Sequence, residues 1–172
     1  METVHDVAWM NALSAEAARE ELLKCCGAKR WATELERRRP FANVAQLLAA
    51  ADEVWWSLDQ NDWLEAFRSH PQIGEKKAAG TLAAQSQQWS SQEQQGVQNG
   101  DSDAVERLAR LNQAYEQKFG FIFIVCATGK SSDEILALLE ERITNDPAAE
   151  WRNAAAEQAK ITELRLRKLI EP

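Results

Sequence analysis

The chain has 172 residues and a formal net charge of −7 at pH 7, with a pI near 5.0, enough length for one domain with its own core. That acidity excludes a phosphate-neutralising surface, so neither nucleic acid nor an anionic membrane is expected as a partner. Cys25, Cys26 and Cys126 are odd in number and lack C-x-x-C spacing, which argues against a disulfide framework or zinc knuckle and suits a reducing compartment. METVHDVAWMNAL shows no basic stretch followed by an apolar one, so no secretory leader is expected. No apolar run approaches the roughly 18 residues of a membrane helix, and LIEP is not a peroxisomal address; a cytoplasmic protein is the plain expectation. The seven tryptophans read as large anchors between helices.

In chain order the punctuation is helical. Ser14 caps a first predicted helix through LLKCC, which Gly27 ends. RWATELERR forms a second and stops before Pro40. Asn43 with Gln46 opens VAQLLAAADEVWWSL, where Val44, Leu47, Leu48, Ala51, Val54, Trp55 and Leu58 recur at helical spacing. Asn61 is the predicted cap of DWLEAFRS, which must end at His70, because Pro71 pushes the preceding residue out of the α region. Ser102 starts a helix through VERLARLNQAYEQKF that Gly120 ends. Ser131 with Glu134 opens SDEILALLEERI, and Asp146-Pro147 is an N-cap with proline at N1 for a long last helix. FIFIVCA, residues 121–127, has strand-like composition but no partner strand. A buried helical or extended connecting segment is therefore predicted. The expectation is an all-α fold: residues 1–172 as a single compact domain of about seven to nine helices.

Several residues invite chemistry. IVCATGKSS resembles the back half of a phosphate-binding loop, but Ile124 stands where its first glycine belongs, and nucleotide binding is not expected. Two histidines 65 positions apart supply no metal-ligand spacing, so no metal site is expected. His70 either caps a helix end or serves as an acid–base group whose direction is fixed by the His-Pro bond and the nearby Gly74. Ser90-Ser91-Gln92-Glu93 is an S-x-x-E capping box, sufficient reason for Ser90 and Glu93. The free N–H groups of such a helix start could also hold a carboxylate. Arg142 falls on the apolar line of Ile135, Leu138 and Leu139, with Asn145 facing roughly the same way. It is either a last-turn arginine snorkelling outward or an inward anion binder.

"CCGAKRWATELERRRPF", "DWLEAFRSHPQIG", "SSQEQQG", "LNQAYEQKFGFIFIVCATGKSSDEIL" and "ERITND" follow in an order that resembles the 2-oxo-4-hydroxy-4-carboxy-5-ureidoimidazoline (OHCU) decarboxylases of purine catabolism, over roughly residues 9 to 170. The resemblance implies a cofactor-free, all-helical, usually homodimeric enzyme that converts an anionic small molecule to (S)-allantoin and carbon dioxide. It implies His70 and Glu93 as catalytic residues. It places Pro71, the stretch Ser90, Ser91, Gln92 and Gln94, and the segment Phe121, Ile122, Phe123, Ile124 and Val125 beside the substrate, with Arg142 a further candidate. Many members carry proline where this chain has Ile122, which alters the backbone donors at that contact. Two alternatives accompany this expectation: another small ureido-acid lyase or hydrolase on the same scaffold, and a non-catalytic helical interaction module.

Overall fold

The local signals at helix starts translate into hydrogen bonds in the computed structural model, which describes residues 5–71, 84–98 and 102–170. The Ser14 hydroxyl accepts from Ala17 N at 3.1 Å to open α2 (Ala15–Leu23). The Asn43 side chain accepts from Gln46 N at 2.8 Å to open α4 (Val44–Ser57), and the Gln46 amide oxygen returns to Ala42 N. Ser131 caps α9 (Ser132–Arg142), and Asp146 caps α10 (Pro147–Ile170), accepting from Ala149 N at 2.8 Å. Each such cap satisfies one amide that the first helical turn leaves unpaired.

α1 (Val7–Ala12), α3 (Lys29–Arg37), α5 (Gln60–Arg68), α6 (Ala84–Glu93), α7 (Gln95–Gln98) and α8 (Ser102–Phe119) complete the described elements, and no strand occurs among the described residues. The all-α expectation holds. Eight of these helices have nine or more residues; α1 and α7 are short additions that left no periodic signal. α5 starts one position before the expected cap. Asp59, not Asn61, accepts from the first-turn amide, that of Asp62, at 3.1 Å.

The chain forms two compact units, Met1–Ala66 with Ala159–Pro172, and Phe67–Gln158. In the first, α2 packs on α3 and α3 on α4. Met10, Leu22, Trp31, Leu35, Leu47 and Leu166 are fully buried, and the Trp31 indole donates to Ala51 O at 3.1 Å. The Arg39 guanidinium closes the end of α1 by donating to Met10 O and Leu13 O at 2.8 and 2.7 Å. Cys25 and Cys26 are free thiols here, and burial pushes Cys26 up to about 12. Trp31 and Trp55 are the anchors expected of the tryptophans, while Trp56 is 42% exposed.

In the second unit α8 packs on α9, as does α7. Its core is aromatic. Phe121 stacks obliquely on Trp151 at 4.6 Å and on Phe67 at 5.4 Å, and Tyr115 meets Phe119 and Phe123 at 4.5 and 5.3 Å. Such pairs add about 0.5–1.5 kcal/mol each beyond area burial. α8 ends where Gly120 takes φ +84°, a conformation closed to most side chains, and its amide returns to Glu116 O at 2.8 Å.

Candidate active site

FIFIVCA is neither helix nor ladder. Residues 121–127 run irregularly between α8 and α9, and all but half-buried Ile122 are buried. Buried backbone needs partners, and here side chains provide them. Arg142 Nη1 donates to Ile124 O at 2.7 Å, Cys126 N donates to a Glu157 carboxylate oxygen at 3.2 Å, and Lys130 Nζ donates to Cys126 O at 2.8 Å. The lone segment is thus held by three side chains reaching in from α9, α10 and the intervening turn.

Arg142 turns inward, and the anion it meets is the protein's own Glu150. Its Nε and Nη2 donate to the Glu150 carboxylate at 3.1 and 2.9 Å, and the guanidinium lies 4.6 Å from the Phe123 ring centroid. Tyr115 Oη also donates to Glu150, and Asn145 and Asn153 add bonds of 3.0 and 3.1 Å. Burial alone would raise the Glu150 carboxyl, but the bonds from Arg142, Tyr115, Asn145 and Asn153 together outweigh it and hold it below its usual value. Tyr115 is driven the other way, chiefly by burial and then by its bond to Glu150. The shared facing of Arg142 and Asn145 is borne out: both reach one carboxylate.

His70 sits just past the end of α5, its amide bonded to Phe67 O at 3.2 Å, with Pro71 buried behind it. The helix therefore stops where the His-Pro junction requires. The imidazole is half-buried, and its Nε2 lies 2.6 Å from the Gln158 side-chain oxygen on α10. Gly74, offered as a second constraint on His70, lies outside the described residues.

The capping box at Ser90 is not what the chain builds. α6 has already begun at Ala84, so Ser90 to Glu93 form its last turn and offer no free helix-start amides for an anion. An upstream run of good helix formers, AQSQQW, competes for the start and wins. Ser90 lies within this turn, Ser91 and Gln92 are exposed, and Glu93 and Gln94 are buried where α6 gives way to α7. At 8% exposure Glu93 is a carboxylate kept largely from water. Burial foremost raises the Cys126 thiol, and the charges of Glu157 and Glu93 push it further in the same direction. Glu93 is thereby placed near the end of the FIFIVCA segment.

Adjacent residues of α10 thus serve two parts of this region, Gln158 meeting the His70 ring and Glu157 meeting the backbone at Cys126. Neither was anticipated from the sequence. Gln158 carried a usable signal, being polar on a stripe that includes buried Ala154, Ala155, Ile161 and Thr162 at spacings of three and four. A cavity of about 410 Å³ in the first unit, between Leu48, Asp52 and Trp55 of α4 and Lys160, Glu163 and Leu166 of α10, contains none of the predicted residues. Among the described residues no cluster of three or more His, Cys, Asp or Glu could hold a metal, and no helix is long and apolar enough to cross a membrane.

Comparison with known proteins bears on this arrangement. A family model described as OHCU decarboxylase matches residues 11–167. The uric acid degradation bifunctional protein TTL of Arabidopsis thaliana is 36% identical over 159 residues, covering 92% of this chain but 49% of the plant protein, so the chain spans about half the length of that relative. The 2-oxo-4-hydroxy-4-carboxy-5-ureidoimidazoline decarboxylase of Amia calva is 38% identical over 134 residues, 77% of this chain and 75% of that one. A crystal structure of OHCU decarboxylase determined in the presence of (S)-allantoin superposes with a TM-score of 0.77 at 36% identity, covering 89% of this chain and 99% of that one. An (S)-allantoin synthase structure shares the fold, with a TM-score of 0.73 at 20% identity. With the family model matching residues 11–167 and the Amia calva relative 38% identical over 75% of its own length, the chain belongs to the OHCU decarboxylase family.

Proposed function

We infer that this protein is a carboxy-lyase that decarboxylates OHCU to (S)-allantoin in urate degradation. The observation that carries the reading most is the 36% identity, over nearly the whole of that chain, to an OHCU decarboxylase solved with (S)-allantoin. It is supported by a histidine held at a helix end against Gln158, whose neighbour Glu157 reaches the buried FIFIVCA segment, and by the buried carboxylate of Glu93, whose charge is felt at Cys126.

The substrate carries a carboxylate and a hydroxyl on one ring carbon, next to a C=N bond. When the C–C bond to the carboxylate breaks, CO2 leaves and the electron pair forms the C=C bond of an enol-like intermediate. The imine nitrogen takes up a proton. The enol hydroxyl then loses its proton as the neighbouring carbon gains one, leaving the carbonyl of allantoin. His70 exchanges the hydroxyl proton, Glu93 assists delivery from the opposite side, and protonation on one face sets the S configuration. Phe121, Ile122, Phe123, Ile124 and Val125 form the water-poor wall, which favours a step that converts a carboxylate into neutral CO2. Pro71 and the α6 end, Ser90, Ser91, Gln92 and Gln94, complete the substrate contacts. Arg142 holds Ile124 in place beside the substrate. The protein works as a cytoplasmic homodimer with no cofactor, which the family resemblance supports and sedimentation would check for the dimer.

The test is OHCU generated in situ from urate by urate oxidase and hydroxyisourate hydrolase, followed by circular dichroism. Wild type gives fast, stereospecific appearance of (S)-allantoin. His70→Asn loses about 10²–10⁴ in kcat with its melting temperature preserved. Decay at the spontaneous rate with wild type would remove the assignment, and equal losses of stability and activity in the variant would return His70 to a capping role.

A further inference from the structure

The geometry points to Gln158 as a positioning residue that fixes the tautomer and direction of the His70 ring, so that Nδ1 is the nitrogen that exchanges the substrate proton. This rests on the reading of His70 as the acid–base group.

The contact is made by atoms whose roles are constrained. The Gln158 side-chain oxygen can only accept, so the His70 Nε2 lying 2.6 Å from it must carry hydrogen. In the neutral imidazole the lone pair is then on Nδ1. Gln158 is fully buried, whereas the His70 ring is half-buried. A buried amide is confined to orientations that satisfy its polar atoms, so the amide is the fixed partner and the ring the one being held. The anchor sits in the interior of α10 and not on a loop, the kind of support that keeps a reacting group within a fraction of an ångström of its working position. The next residue, Glu157, accepts from Cys126 N at the end of the FIFIVCA segment. One turn of α10 therefore sets both the imidazole and part of the wall it works against. An amide suits the task better than a carboxylate. It orients the ring without adding a negative charge that would hold the imidazolium and slow return of the proton.

The chain has two histidines, so His5→Gln leaves His70 as the sole imidazole for NMR. In that background the ring N–H of His70 should appear as a slowly exchanging downfield resonance correlated to Nε2, and Gln158→Leu should abolish it. Gln158→Leu should lower kcat about 10–100-fold, the usual range for a residue that orients a reacting side chain. KM should stay within about threefold and the thermal melt should remain cooperative. Gln158→Glu should keep the resonance and raise the His70 pKa by about 1 unit or more, moving the limb of the pH–rate profile that reports His70 to higher pH. Wild-type kcat in Gln158→Leu, or no protected Nε2 proton in the parent, overturns this inference while leaving the decarboxylase reading intact if His70→Asn is inactive. A parent without turnover of OHCU removes the functional reading, and the catalytic role given to Gln158 with it.

Discussion

Arg142 shows how one side chain decides whether a stretch of backbone can be buried. Its helix wheel puts a charge among Ile135, Leu138 and Leu139, and the structure answers with Glu150, Tyr115, Asn145 and the Ile124 carbonyl. Desolvating two charges is expensive, and such a pair is sustained only when nearly every donor and acceptor is used, as they are here. Removing one partner strands the other. Arg142→Met should therefore cost about 3–5 kcal/mol in denaturant unfolding, and adding Glu150→Gln to it should recover part of that loss by discarding the stranded charge. A rise in KM larger than the stability loss explains would instead identify Arg142 as a substrate ligand.

Among the elements, α7 depends on a missing side chain. A Cβ built on Gly96 would collide with the Lys130 carbonyl at the entry to α9, so α7 approaches that turn closely only because the position is glycine. Exposed helices gain about 1 kcal/mol when glycine becomes alanine. Here a collision with backbone outweighs the gain, and Gly96→Ala should lose about 1–3 kcal/mol, as overpacked sites do. Thermal melts check the sign, and a stabilised variant would mean that α7 can slide without cost. Activity should fall alongside, because α7 begins one residue after Gln94. The elements also show what a sequence can and cannot convey. Caps at Ser14, Asn43, Ser131 and Asp146 are local chemistry and were legible, as was the stop at His70, set by a proline ring. The box at Ser90 was equally well formed, yet it lies inside α6, because a motif cannot reveal that the helix has already started upstream. Segment 121–127 was legible as buried and non-ladder, but its partners Arg142 and Glu157 were not, since they lie 18 and 31 positions beyond the groups they hold. Gln158 could have been found by the same wheel that singled out Arg142; Glu157, half-buried beside it, could not.

For the whole molecule, two electrostatic effects oppose each other as pH falls. The net charge of −7 at pH 7 diminishes toward zero near the pI of about 5.0, which relaxes self-repulsion. Glu150 works in the other direction. Its folded-state carboxyl is held below the ordinary 4.5, so below that value the unfolded chain binds a proton that the folded chain does not. Stability then rises with pH in that window, and the Glu150 contribution is fully present above about 4.5 and is lost as pH falls through the depressed folded value. Thermal melts should hold steady or rise from pH 7 to about 5, then drop steeply below about 4.5, where acid linkage overtakes the relaxed repulsion. Glu150→Gln, although less stable at neutral pH, should show a shallower fall across the acid window, because it has no carboxyl there to protonate. An acid limb of unchanged steepness in that variant would mean that other carboxylates carry the transition, and that the Arg142–Glu150 pair does not set the acid limit of the fold.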